Sequence, residues 1–465
     1  PPPPSHSMMN RGDILRLRID TLNSEGEGIA REEGGSFVVF VPGALPGETV
    51  DGRILLRKAR YARAQILQVL SPSPDRSTPS CPLASRCGGC QLQHASYPFQ
   101  LRAKEEALRD ALRRLGGLDD SAVEPCVPSP RVLGYRNKVV LPVRWTPEGG
   151  SALGFYQRRS HQVVPLVSGC PVLEERLNSL LSLALPFLKG PTLQPYREGT
   201  RPSGFLREVV ARCGSRTGES ALCLVVRRIP ERREETLLKA LHHHLTETLP
   251  GFRGTALHIV PQPGNFIWSG TTRPFLGATD LHESLGPYRI RFEVSSFFQV
   301  NSPQAEHLYE DVLESLGEEA QGHLLELYSG VGSLSLFLAS RARSVQAVEE
   351  WLPATESLQA NAAAHGLGQR LSVLSGKAED VLEKLDRNSF DGVVLDPPRG
   401  GCHPKVLERI LNLAPKKVVY VSCNPATLAR DLRILVDGGF RIRSLRPFDL
   451  FPQTAHVETR ALLTH

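Results

Sequence analysis

Residues 322–336 read GHLLELYSGVGSLSL, a leucine-rich run closed by Tyr-Ser-Gly and followed by a second apolar stretch. The first half has the length and texture of a strand buried on both faces, and the glycines after it mark a tight turn that opens a helix. The unit recurs toward the C-terminus. SVQAVEE (344–350), LSVLSG (371–376), FDGVVLDPP (390–398) and KKVVYVSC (416–423) each give an apolar strand with a helical stretch behind it. FRIRSLRPFD (440–449) and AHVETRALLTH (455–465) end the chain as strands. Strand and helix in alternation predict an α/β, doubly wound parallel sheet of the Rossmann-like kind, whose ligands lie at the carboxyl ends of the strands. Tyr328, Glu349, Asp396 and Cys423 all fall at such ends.

Toward the N-terminus the texture changes. DILRLRID (13–20), SFVVFVPG (36–43) and ARAQILQVL (62–70) alternate or run apolar between Gly/Pro turns, which predicts about five short strands in a small OB-like β-barrel over residues 10–71. Arg53, Arg57, Lys58, Arg60 and Arg63 cluster there with Tyr61, either as a solvated rim or as an edge that holds RNA phosphates and bases. SPSPDRSTPS (71–80) reads as a linker. Residues 72–285 form a central α+β segment with a cysteine cluster and a helix over about 98–116 that would pack on the last domain, residues 286–465. PPPPSHSM opens a tail, residues 1–9, that is set aside as a tag remnant.

The chain has 465 residues, 40% hydrophobic and 22% charged, with a net charge of +6. That size buries large cores, and the mild positive charge permits a polyanionic partner. No apolar run reaches the roughly 20 residues of a membrane helix. Nine cysteines without a visible secretory signal favour metal or catalytic use in a reducing compartment, hence the cytoplasm.

The loop after Leu327 lacks the full G-x-G-x-x-G spacing and any Lys-Ser/Thr pair for phosphates, while Glu349 stands about twenty residues on, where an acid accepts ribose hydroxyls. A nucleoside ligand without phosphate fits best, which favours S-adenosylmethionine over a dinucleotide. In LDPPRGG (395–401) the prolines fix the backbone beside the reacting centre. Arg399 occupies the place where exocyclic-amine methylases carry an aromatic and RNA cytosine-C5 methylases a cysteine.

FFQVN (297–301), ELYSGVGSLSL (326–336), AVEE (347–350), LDPPRGG, VSCNPATLARD (421–431) and DLFPQTAHVET (449–459) follow one another as in the RNA 5-methyluridine methyltransferase family, which the last domain resembles throughout. VPGALPGETV (41–50) resembles the TRAM domain many members carry. The resemblance implies Cys423 as nucleophile and Glu458 as general base, with Gln299, Tyr328, Glu349 and Asp396 lining the S-adenosylmethionine site. Ser333 would join them, although some relatives carry asparagine there.

The expected chemistry explains a cysteine at a strand end. Addition of a thiolate to uridine C6 makes C5 carbanion-like, the methyl group moves to C5, and a base removes the C5 proton so that the cysteine leaves. The helix after Cys423 and nearby polar groups are expected to help the thiol ionise.

CPLASRCGGCQLQH (81–94) and SGCPVL (168–173) place Cys81, Cys87, Cys90 and Cys170 at a spacing that suits zinc or an iron–sulfur cubane equally. The resemblance points to a [4Fe–4S] cluster and, with the barrel, to 23S ribosomal RNA as substrate of a monomeric enzyme. Uridine in tRNA and RNA cytosine-C5 methylation are the alternatives. His94 reads as a core or RNA-facing histidine, and Cys126, Cys213, Cys223 and Cys402 as structural.

Overall fold

The C-terminal sheet has seven strands, numbered here in chain order: β1 His323–Leu327, β2 Ser344–Glu349, β3 Leu371–Ser375, β4 Gly392–Leu395, β5 Lys417–Ser422, β6 Arg441–Phe448 and β7 Glu458–Thr464. Their spatial order is 3-2-1-4-5-7-6. The first five are parallel, and β7 runs antiparallel between β5 and β6. Strand residues alternate between two apolar layers, as a pleat buried on both sides requires. Leu324, Val345, Val394 and Val419 face the helices Ser302–Leu316, Ser333–Arg341 and Leu352–Ala364. Leu325, Val393, Leu395, Val418 and Tyr420 face the helices Pro404–Leu413 and Pro425–Asp437.

The helix Tyr97–Ala111 completes that second layer although it lies far upstream in the chain. Its Leu108 and the following Leu112 and Leu118 are buried in the same cluster as Leu428 and Leu432. Ser96 caps its start by accepting from the Phe99 N–H. The hairpin Asp280–Leu285 and Tyr288–Glu293 likewise lends Leu281, Leu285, Ile290 and Phe292 to the first layer.

The structure is a computed structural model and describes residues 9–31, 37–199, 201–264 and 267–465. Residues 1–8 of the expected tail lie outside the described residues. Met9, counted with the tail on sequence, is buried in the core of the first domain. That domain is a single sheet of six segments in the order Ile14–Arg18, Thr49–Arg57, Tyr61–Ser71, Val38–Pro42, Glu27–Arg31, Thr21–Leu22. The first and last segments are two halves of one bent strand. One half pairs with Thr49–Arg57 and the other with Glu27–Arg31, which closes the sheet into a barrel.

The stretch after the barrel is a fixed tether rather than a loose linker. Buried Glu48 accepts from the Ser73 N–H at 3.1 Å and from the Arg76 guanidinium at 2.6 Å. The central segment contains a further seven-stranded sheet. Its middle strands Leu206–Cys213 and Ser220–Val226 are buried along their whole length beneath the helices Glu175–Leu188 and Arg232–Thr248.

Candidate active site

Cys423 is the first residue beyond β5, and Glu458 is the first residue of β7. Because Ser422 pairs with Thr459 in the antiparallel ladder, the strand geometry sets Cys423 beside Glu458. Asp396 follows β4, the neighbour of β5 on the other side. Three of the expected residues therefore share one rim. Glu458 is 2% exposed, and burial with the nearby Asp396 charge pushes its carboxyl well above the ordinary range, opposed by the Arg399 cation. Burial alone raises Asp396 to about 7.

The thiol departs from expectation. Asn424 caps the helix Pro425–Asp437 by accepting from the Ala426 N–H at 3.1 Å, so the positive helix end is indeed beside Cys423. Burial nevertheless raises the Cys423 thiol to about 11, and the Glu458 and Asp396 charges add to it, while Arg399 pulls it down. Desolvation thus opposes the help that the helix end offers the thiolate. Arg399 is thus the cation of the site, a role the sequence marked only by its unusual place after Asp-Pro-Pro.

Glu349, Tyr328 and Ser333 lie at the turn after β1. Glu349 accepts from the Gly330 N–H through one carboxylate oxygen and from the Trp351 N–H through the other, both at 2.9 Å. Each oxygen keeps a lone pair for a ribose hydroxyl. Gly332 has φ 89°, and a Cβ there would come within 2.7 Å of Leu358 Cγ, so no other residue closes this turn without strain. Tyr328 takes the left-handed conformation, φ 62°. Ser333 begins the next helix with its hydroxyl 3.1 Å from the Tyr309 hydroxyl. Gln299 is buried, and its carbonyl accepts from Asn137 Nδ2 at 3.1 Å.

Glu326 was missed by sequence reading. It is 3% exposed on β1, and burial with the Asp396 and Glu349 charges raises it to about 8. The available signal was an acid inside the otherwise apolar run HLLEL.

Cys81, Cys87, Cys90 and Cys170 come from two separated segments. Cys90 is buried and raised to about 12, first by burial and then by the charges of Cys170, Cys87 and Cys81, so the four thiols are electrostatic neighbours. The Gly89 N–H donates to Cys87 Sγ at 3.4 Å. Gly88 lies against the end of the strand Ser151–Tyr156, where a Cβ would come within 2.9 Å of the Tyr156 carbonyl oxygen. Among the described residues no three His, Cys, Asp or Glu side chains are gathered to hold a single metal ion. The four thiols are thus neighbours without forming a closed ligand set, and this arrangement favours neither zinc nor a cluster. His94 is buried with its Nε2 unpartnered among the described residues, and burial lowers its ring to about 4.

On the barrel, Arg57, Lys58 and Arg60 are exposed around the turn after Thr49–Arg57. Arg63 is committed elsewhere. It bonds Glu27 at 2.8 Å and lies over the Phe40 ring, so its guanidinium is held against the barrel wall. Strand pairing sets this up, because Val38–Pro42 lies beside Tyr61–Ser71 with Phe40 opposite Arg63.

Comparison with known proteins agrees with this geometry. Residues 286–465 match the tRNA (uracil-5-)-methyltransferase family, and residues 9–67 match the TRAM domain. The chain is 40% identical to an RNA methyltransferase of Gloeobacter violaceus over 97% of each protein. It is 35% identical to one of Halalkalibacterium halodurans over 98% of each. Its structure is similar to that of the Pyrococcus abyssi tRNA (uracil-54, C5)-methyltransferase in complex with S-adenosyl-L-homocysteine, with a TM-score of 0.76, 28% identity, and coverage of 97% of this chain and 99% of that one. A sheet of order 3-2-1-4-5-7-6, a cofactor rim and an N-terminal barrel thus agree with sequence likeness over nearly the whole chain: the protein belongs to the S-adenosylmethionine-dependent RNA uracil-5-methyltransferase family and carries a TRAM domain.

Proposed function

We propose that the enzyme methylates C5 of a uridine in 23S ribosomal RNA by covalent catalysis. The observation that carries the chemistry is the adjacency of Cys423 and Glu458 across the β5–β7 ladder, with Arg399 as their common cation. Cys423 adds to C6 as its thiolate, the form that the Arg399 cation favours, and the negative charge passes to the ring as an enolate. Gln299, Tyr328, Glu349 and Asp396, with Ser333 at the helix start, would hold S-adenosylmethionine, which would supply the methyl group to C5 and leave as S-adenosylhomocysteine. Glu458 then takes the C5 proton, and the cysteine leaves by elimination, which restores the aromatic ring.

The presence of both a TRAM barrel and a cysteine-bearing central segment supports ribosomal RNA, and we place the enzyme in the cytoplasm as a monomer. The full-length likeness to a tRNA uracil-54 enzyme favours tRNA as the second reading. Nucleoside mass spectrometry of fractionated RNA from a deletion strain decides between them. Loss of 5-methyluridine from 23S RNA is expected, loss from tRNA alone would establish the second reading, and loss of 5-methylcytidine instead would overturn both.

Cys81, Cys87, Cys90 and Cys170 are proposed to hold a [4Fe–4S] cluster that fastens the two cysteine segments together. Anaerobically purified protein is expected to be brown with about four irons per chain, and Cys87→Ser to bleach it and lower its yield. Colourless protein with stoichiometric zinc would exclude the cluster.

Arg57, Lys58 and Arg60 are proposed to contact RNA phosphates. Replacing Lys58 and Arg60 by glutamine is expected to flatten the salt dependence of RNA affinity by about 0.7 in log–log slope per lost contact, as released counterions require for single strands. An unchanged slope would make this edge a solvated surface.

A further inference from the structure

The helix that begins after Cys423 does more than present a dipole. Asn424 Nδ2 donates to the Arg399 carbonyl at 3.0 Å, and the Thr427 hydroxyl donates to the same oxygen at 3.2 Å. Arg430 Nη2 donates to the Gly400 carbonyl at 2.9 Å. Asp431, with no exposed surface, accepts from the Cys402 N–H at 2.8 Å, the Tyr420 hydroxyl at 2.6 Å and Arg430 Nε at 2.8 Å. Gly401 is squeezed between these groups: it has φ 75°, and a Cβ would lie 2.6 Å from both Arg430 Nη2 and Asp431 Oδ2. The polar residues of NPATLARD thus grip the segment 399–402 at almost every backbone position. A motif that looks like nucleophile plus helix is also a clamp on the loop that carries Arg399.

We propose that Asp431 is a positioning residue for the uridine-C5 chemistry: together with Asn424, Thr427 and Arg430 it locks the Arg399 loop so that the guanidinium faces Cys423 and Glu458. This rests on the reading of Cys423 as nucleophile. Arg399 is itself exposed, and an exposed arginine samples many rotamers unless its backbone is held. Fixing the loop on the helix that also starts at the nucleophile gives cation and thiol one rigid frame. The guanidinium then favours the thiolate against burial and the two acids.

The test follows the thiol in the free protein, so it does not depend on RNA identity or on methyl transfer. The alkylation rate of Cys423 by iodoacetamide is measured near pH 8 by peptide mass mapping, for the parent, Arg399→Ala, Asp431→Asn, Thr427→Val and the Arg399→Ala/Asp431→Asn double variant. Only the thiolate reacts, so Arg399→Ala and Asp431→Asn are each expected to slow alkylation about three- to tenfold, and Thr427→Val less. The double variant should react no more slowly than Arg399→Ala alone, because Asp431 acts through Arg399. S-adenosylmethionine binding should stay unchanged while kcat falls. A lower melting temperature with parental alkylation in Asp431→Asn would overturn the proposal, and so would additive slowing in the double variant. If Asp431→Asn fails to fold, Thr427→Val decides on the same readout, and parental alkylation there is the contrary result. Alkylation that follows these expectations in a protein inactive on every uridine-containing RNA would keep the clamp and refute the functional reading.

Discussion

Cys423→Ala is expected to abolish methyl transfer, whereas Glu458→Gln is expected to trap a protein–RNA adduct that survives denaturing electrophoresis and carries tritium from methyl-labelled S-adenosylmethionine. The two residues sit side by side but act at opposite ends of the reaction. Without the thiol no carbanion develops at C5, so nothing accepts the methyl group. Without the carboxylate, addition and transfer proceed, but the C5 proton loses its positioned acceptor, and turnover should fall by about 10²–10⁴. Glutamine fills the same buried space, so the fold is unaffected by volume. Water then removes the proton slowly, and the adduct decays over hours.

The pH dependence carries a definite sign. Glu458 is raised well above the ordinary carboxylate range by burial and the Asp396 charge, and only its ionised form removes the proton. Elimination in the parent enzyme should accelerate as pH rises through that pKa, and adduct should accumulate as pH falls. Wild-type turnover by Glu458→Gln with no adduct would assign the base elsewhere and leave Cys423 standing.

Much of this domain was legible because its strands are buried on both faces. GHLLEL, FDGVVL and KKVVYV are apolar runs that only a covered parallel sheet accommodates, and their ends located Tyr328, Asp396 and Cys423 without further help. The pairing of β7 between β5 and β6 was not legible, since nothing in AHVETRALLTH states its neighbours. Yet that pairing is what sets Glu458 beside Cys423, and only the family resemblance supplied the residue. Glu326 escaped because the sequence shows an acid inside an apolar run but not the Asp396 and Glu349 carboxylates gathered near it. The partners of Arg63 were not legible either: composition marks a basic cluster, but only the pairing of Val38–Pro42 with Tyr61–Ser71 sets Phe40 beside it. The sign of the Cys423 shift was missed because sequence shows the helix behind the thiol but not the burial around it.

Lys104→Met is expected to be strongly destabilising although it lies outside the active site. Lys104 and Asp449 form an ion pair with 1% and no side-chain exposure, and Lys104 Nζ also donates to the Phe451 carbonyl at 3.1 Å. Asp449 Oδ1 further accepts from the Phe451 N–H at 3.1 Å, while its Oδ2 has no partner among the described residues. Removing the lysine leaves a buried carboxylate with no cation, a loss of about 3–5 kcal/mol. Replacing both residues, in Lys104→Met/Asp449→Leu, should recover much of that stability, because two apolar side chains carry no desolvation cost. The consequence reaches catalysis, since Asp449 opens the loop that ends at Glu458. The same helix grips that loop through reciprocal bonds between Gln100 and Gln453 at 3.0 and 2.9 Å. Leu92, two residues beyond the last cysteine of the first segment, donates its N–H to the Gln453 carbonyl at 2.9 Å. Lys104→Met should therefore lose turnover more steeply on warming than it loses S-adenosylmethionine binding. Chemical denaturation of the single and double variants measures the pair. A Lys104→Met protein within about 1 kcal/mol of the parent would mean that Asp449 is satisfied by other groups, and that the helix holds the loop through Gln100 and apolar packing alone.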